Sequence, residues 1–305
     1  MKKERVLFVS LVRIIAIVLI VLFHVMYEIF QDHGLRPIGF IGVSLFFIVS
    51  GFVLAKIYPN LTEFSGKWFL KKYFKIALVY YLALVFIVIL FGKQVYSGNV
   101  FANLGLHFAF LDGFFSQVAY GIISPAWFIV PLICFYFLFP YLNRFIKKSY
   151  IFLILAFVIS IAIRFYLGTW TSYNPLFFLA EFCFGIAFVY KPKNILILIS
   201  AVVLIVNPLM FIPFAVFYSL SFINSTMLTK LSNILGFFEI NMIIIFLSHE
   251  AFINVLFNKW NIFGLSIWLE IIILALGMVG ILIVSREIQN RLLEFNKDIN
   301  QSKLC

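Results

Sequence analysis

The chain has 305 residues, of which 64% are hydrophobic and only 11% charged. So little polar surface cannot solvate a globule of this length, which excludes a soluble enzyme or binding module and calls for a polytopic membrane protein. The formal charge of +11, from 23 Lys and Arg against 12 Asp and Glu, would suit a nucleic-acid partner, but the basic residues cluster in alternate loops. Membrane topology explains them, and no nucleic acid is expected.

Apolar runs of about 20 residues recur and strand-type alternation is absent, which favours helices over a barrel. The reading is an all-α transmembrane bundle of about ten spans. They fall near 6–30, 38–58, 72–92, 123–143, 150–168, 174–190, 194–209, 211–227, 234–257 and 264–285. The segment 99–116, broken by Gly105, Asp112 and Gly113, reads as a re-entrant or interfacial piece. Residues 1–285 are expected to form the membrane domain, and 286–305 a short polar cytoplasmic tail. With the N-terminus inside, the basic residues of the N-terminus, of 56–75, 144–148, 191–193 and 230, and of the tail all fall on the cytoplasmic side. Only Arg36, Lys93, Lys259 and Arg164 are left outside. The positive-inside rule therefore puts both termini in the cytoplasm.

The first span, VLFVSLVRIIAIVLIVLFHVMYEIF, is too long for a signal-peptide core and lacks a small-residue cleavage site, so it reads as a retained anchor. Arg13 and His24 within it are eleven residues apart, which is about three turns plus 20°, so both leave one face of the helix. The rise between them is roughly 16 Å, about half the hydrocarbon core. Glu28 follows one turn after His24 and lies near the same face. Ionisable groups inside a span are costly and usually face a protein interior or a polar cavity. Because the helix runs outward, Arg13 lies toward the cytoplasm, and His24 and Glu28 toward the outer half. A neutral imidazole at His24 can accept a proton from an alcohol, with Glu28 to orient the ring; the alternative is a structural histidine bonded to a neighbouring helix. Arg13 either snorkels to the inner headgroups or contacts an anion.

The second span, with IGVSLFFIVSGFVLAK, carries Gly42 and Gly51, where helices can approach closely, and Ser44 and Ser50 as polar contacts. In FLKKYFKIALVYY, Lys72 and Lys75 share a face at the cytoplasmic mouth of span three. They are either topology signals or a phosphate-binding mouth for a cytosolic cofactor. Span four opens with Pro125 before Trp127, at the level of the outer aromatic belt. Span six holds Glu181 in an apolar run with Gly185 one turn on; Glu181 is either paired, with Arg164 as the available partner, or part of a polar cavity. His249 and Glu250 lie toward the outer end of span nine, where His249 reads as structural or interfacial. His33 and His107, in or near outer loops, need no role. Cys134, Cys183 and Cys305 show neither pairing nor metal-ligand spacing, and no metal is expected.

Together these segments resemble the acyltransferase-3 family of integral membrane acyltransferases. Arg13 and His24 fit its arginine, ten residues, histidine motif. GVSLFFIVSGFVL is similar to its GVxLFFxxSGFL segment and FLKKYFKI to its FLxKRxxRI run. PAWFIVPLICFYFLFP, FFLAEFCFGIAF and IIIFLSHEAFI are similar to three further segments, in order along the chain. The resemblance implies transfer of an acyl group, usually acetyl from acetyl-CoA, onto a hydroxyl of a cell-surface or lipid-linked glycan at a bacterial inner membrane. It implies His24 as the catalytic histidine and Arg13 as its partner in engaging acyl-CoA. Lys72 and Lys75 stand where the family commonly has two arginines, so the charge is kept without the bidentate geometry. Trp127 is counted with Arg13, Lys72 and Lys75 among the donor contacts. Direct transfer and a transient acyl-histidine both remain open. With no esterase-like domain in view, transfer would be completed by the membrane domain or handed to a separate protein. The rival readings are a flippase or other transporter of lipid-linked sugars, and a glycan polymerase; no internal repeat and no long outer loop speaks for either.

Overall fold

The structure is a computed structural model. It describes residues 7–95, 100–111, 127–168 and 174–223, with the individual positions 245, 246, 249, 253, 269, 272, 273, 276 and 280. The expected spans 234–257 and 264–285, apart from those positions, lie outside the described residues, as do the 286–305 tail, Asp112, Gly113, Pro125 and Glu250. Among the described residues the elements are helical, with no strand: α1 (Leu7–Phe30), α2 (Arg36–Ile57), α3 (Gly66–Val95), α4 (Val100–Phe108), α5 (Ile129–Lys148), α6 (Ile151–Leu167), α7 (Leu179–Tyr190), α8 (Lys193–Ser200) and α9 (Ile212–Leu220). By length and composition, Leu7–Phe30, His33–Ile57 and Ile129–Lys148 are apolar enough to cross a membrane.

Local chemistry sets the boundaries. After α1 the chain turns through Gln31, whose φ of 51° is left-handed. The Asp32 carboxylate then accepts from the Gly34 N–H at 2.8 Å, and Pro37 starts α2, where a missing N–H costs nothing. The same device recurs twice. Asn174 accepts from Leu176 N–H before Pro175, and Asn207 from Leu209 N–H before Pro208, each at 2.9 Å. The second instance corrects the expected span 194–209. α8 gives way to a 3-10 turn at Ala201–Ile205, and the chain restarts at Pro208–Phe211 before α9. Pro208 and the Asn207 cap break this run.

α4 has nine residues, a rise of about 14 Å, too short to cross a bilayer. His107, expected in or near an outer loop, is instead fully buried in α4, and its Nδ1 is 2.8 Å from the Tyr80 hydroxyl of α3. Tyr81, one residue on, donates to the Phe108 carbonyl at 2.7 Å. The two tyrosines hold the short helix against α3.

α2 is the hub. It buries residues on every side, from Gly39 to Ala55, and packs most extensively on α1 and α7. Small residues permit this. A methyl group added at Gly42 would meet the Ala16 carbonyl and Ile20 of α1. One added at Gly51 would overlap the Phe182 carbonyl of α7, and one at Gly185 the Ile48 carbonyl of α2. Gly51 and Gly185 thus face each other across one crossing, where close backbone approach replaces the hydrophobic drive that lipid removes. Phe47 stacks on Phe178 and Phe135 on Phe182, each at 4.7 Å, filling the space beside the crossing.

Gly51→Val or Gly185→Val is expected to destabilise the protein by about 1–3 kcal/mol, read as a lower thermal midpoint of the detergent-solubilised protein. Gly105→Ala, in a helix and with nothing near its added methyl, is expected to leave that midpoint unchanged or slightly raised.

Candidate functional site

α1 turns Val9, Val12, Ala16 and Ile20 toward the core and carries Arg13 and His24, both half-buried. At the His24 end the neighbours are aromatic. Phe23 lies 4.9 Å from the His24 ring, centroid to centroid, and His249 lies 5.0 Å away in an edge-to-face arrangement at 62°. His249 is fully buried. Its Nδ1 is 2.7 Å from the Phe246 carbonyl, which can only accept, so Nδ1 carries the proton. Its Nε2 has no hydrogen-bond partner among the described residues. Phe246 packs edge-to-face on Phe128 at 4.2 Å. Trp127, the next residue along, stacks on Phe178 at 5.9 Å. Glu28 is half-buried, and its Oε2 accepts from Gln31 at 3.4 Å.

At the Arg13 end the surroundings are aromatic and polar. The Lys72 ammonium lies 4.9 Å over the Tyr58 ring, a cation–π contact. Tyr58 packs edge-on to Trp68 at 5.6 Å, and Trp68 stacks on Phe139 at 5.6 Å. The buried hydroxyl of Tyr136 is within electrostatic reach of both Arg13 and Tyr58. Asn143 fixes the turn that holds Tyr58, donating to the carbonyls of Tyr58, Pro59 and Leu61 at 3.4, 3.4 and 3.0 Å. Tyr190 in turn donates to Asn143 Oδ1 at 2.9 Å. The fold therefore draws Arg13 and Lys72 into one neighbourhood, while Lys75, one turn on, is exposed. Trp127 belongs to the His24 end: its neighbour in the chain, Phe128, packs on Phe246, whose ring lies 5.7 Å from that of His249.

Sequence reasoning missed His249 as a neighbour of His24, and also Tyr58, Tyr136 and Asn143. The signal for Asn143 was an amide closing an apolar run just before Arg144, which requires hydrogen-bond partners once buried. Tyr58 and Tyr136 gave none, since this chain has 14 tyrosines and most need no special role.

Arg164 and Glu181 settle into a different place. Their Nη2 and Oε1 atoms are 2.7 Å apart, with each side chain 5% exposed. The Arg164 guanidinium also donates to the Phe177 carbonyl and lies over the Phe177 ring at 5.3 Å. Ser44 of α2 donates to the same Glu181 oxygen at 3.2 Å. Ser160 donates to the Leu176 carbonyl at 2.8 Å and accepts from Ala180 N–H at 3.0 Å. Of the two readings for Glu181, pairing holds. The network ties α6, α7 and α2 together beside the Gly51–Gly185 crossing. Among the described residues, no group of three His, Cys, Asp or Glu side chains is arranged to hold a metal ion.

A family model described as an acyltransferase domain (Acyl_transf_3) matches residues 6–237. The matched region includes Arg13, His24, Glu28, Lys72, Lys75, Trp127 and the Arg164–Glu181 pair, and stops short of His249. No curated protein and no solved structure matches the chain.

The buried pair sets an expected order of stabilities. Arg164→Met alone leaves a buried carboxylate and is expected to cost about 3–5 kcal/mol. The Arg164→Met/Glu181→Leu double substitution is expected to cost less than the single one, because no uncompensated charge remains. Thermal unfolding of the purified variants in detergent checks the order.

Proposed function

The chain belongs to the acyltransferase-3 family, and from that premise we propose that it carries an acetyl group from cytosolic acetyl-CoA to a hydroxyl of a cell-surface or lipid-linked glycan, with His24 as general base. Family membership and helices apolar enough to span a bilayer make it a membrane acyltransferase. The donor, the acceptor and the residue roles are our reading. So are the bacterial inner membrane, a bundle of about ten spans over 1–285, and the cytoplasmic placement of both ends with the 286–305 tail.

One observation carries the reading. A single helix bears a cationic end, Arg13 beside the Tyr58–Lys72–Tyr136 cluster, and an imidazole end, His24 among buried rings. The rise of roughly 16 Å between them suits an extended pantetheine arm. The phosphates of CoA would sit with Arg13, Lys72 and Lys75, and the acyl end with His24 and Trp127. His24 takes the proton of the acceptor hydroxyl as its oxygen attacks the thioester carbonyl. The C–O bond forms and the C–S bond breaks. CoA leaves as thiolate and receives the proton back from His24. A transient acyl-histidine uses the same groups in two steps. Apolar walls around His24 limit hydrolysis of the thioester. Glu28 is a further candidate at the outer rim, one turn from His24.

The test is the O-acetyl content of purified surface polysaccharide by NMR. A deletion strain is complemented with wild type, His24→Ala or Lys72→Ala, with membrane levels matched. Wild type is expected to restore acetyl signals and His24→Ala to lose them, a rate loss of roughly 10²–10⁴-fold. Lys72→Ala is expected to raise the KM for acetyl-CoA roughly tenfold or more, as loss of one charged phosphate contact does. Full acetylation with His24→Ala would overturn the reading. Unchanged acetylation in the deletion strain, with altered polysaccharide amount or length, would favour transport or polymerisation.

A further inference from the structure

A polar side chain from a distant part of the chain stands against the His24 ring: His249, at 5.0 Å between centroids. Three observations define what His249 offers. It is fully buried. Its Nδ1 proton is held by the Phe246 carbonyl at 2.7 Å, which fixes both tautomer and ring plane. Its Nε2 is then a lone-pair acceptor with no partner among the described residues. A buried acceptor left unmatched calls for a donor, and turnover at His24 supplies one.

We infer that His249 is the positioning residue for His24, accepting a hydrogen bond at Nε2 from the His24 imidazolium that forms when the acceptor hydroxyl is deprotonated. This rests on the reading of His24 as general base. Two imidazoles joined by an N–H···N bond of about 3 Å have centroids about 5 Å apart. The two rings already stand at that separation. The proton taken from the hydroxyl stays on His24 until it passes to the departing thiolate, and His249 gains and loses none. A neutral acceptor stabilises the transient cation without burying a permanent negative charge beside it.

Two polar substitutions separate positioning from packing. In His249→Asn the amide can still donate to the Phe246 carbonyl but does not reach the place of Nε2. In His249→Gln the longer amide returns an acceptor there. The assay follows radiolabelled acetyl-CoA into glycan in membranes holding equal amounts of wild type, His24→Ala, His249→Asn or His249→Gln. His249→Asn is expected to lower kcat roughly 10²-fold with the KM for acetyl-CoA unchanged, and His249→Gln to stay within about tenfold of wild type. Equal loss in both, loss only in His249→Gln, loss in neither, or an effect on KM alone would overturn the inference. If His24→Ala itself transfers at the wild-type rate, the underlying reading fails instead, and the two failures are distinct.

Discussion

The close crossing of α2 and α7 at Gly51 and Gly185 is the constraint on which the rest of the molecule depends. Each glycine lies against a main-chain carbonyl of the other helix, so no side chain fits at either position. In lipid there is little hydrophobic gain from bringing two apolar helices together, and dispersion contacts at short range must supply the association. The Arg164–Glu181–Ser44 network ties the same pair of helices together, and the Phe47, Phe135, Phe178 and Phe182 rings pack beside them. With α2 fixed, Gly42 lets α1 lie against it along Ala16 and Ile20, which sets the height and rotation of Arg13 and His24.

That arrangement separates two environments along one helix. The lower end collects cations and phenol rings, with Lys72 held over Tyr58 and the Tyr58 turn held by Asn143. The upper end collects buried rings with few hydrogen-bond partners. A donor with a charged head and a reactive tail would be sorted by such a gradient without any moving part. On the proposed function, a head held by charge at one end would set the position of a reactive tail at the other, so that binding energy from the remote head would serve the chemistry at the tail.

Much of this was legible in the sequence, and the parts that were not share a physical cause. Arg13 and His24 on one face and Gly42 and Gly51 as close-approach positions follow from helical spacing and side-chain size, and pairing with Arg164 was one of the two readings open for Glu181. A break was read between spans 194–209 and 211–227, and the structure moves it to Asn207–Pro208, where an Asx cap precedes proline. His107 was placed in or near an outer loop, and the surroundings of His249, read as structural or interfacial, were not foreseen, because depth within a bundle is decided by neighbours distant in sequence. Tyr80 buries one, and the rings of His24 and Phe246 surround the other. Pairing across helices carries no local signal, and this is why His249 went unnoticed as a neighbour of His24.

The central claim is that the chain works across the membrane, taking its acyl donor at the Arg13–Lys72 end and delivering at the His24 end. The most direct measurement supplies impermeant radiolabelled acetyl-CoA to only one face of sealed vesicles that contain the protein and the native glycan. Inverted vesicles, with the cytoplasmic face outward, are expected to label glycan on the enclosed side, while intact right-side-out vesicles stay unlabelled until permeabilised. Equal labelling from both faces, or label confined to the face that receives the donor, would contradict the account.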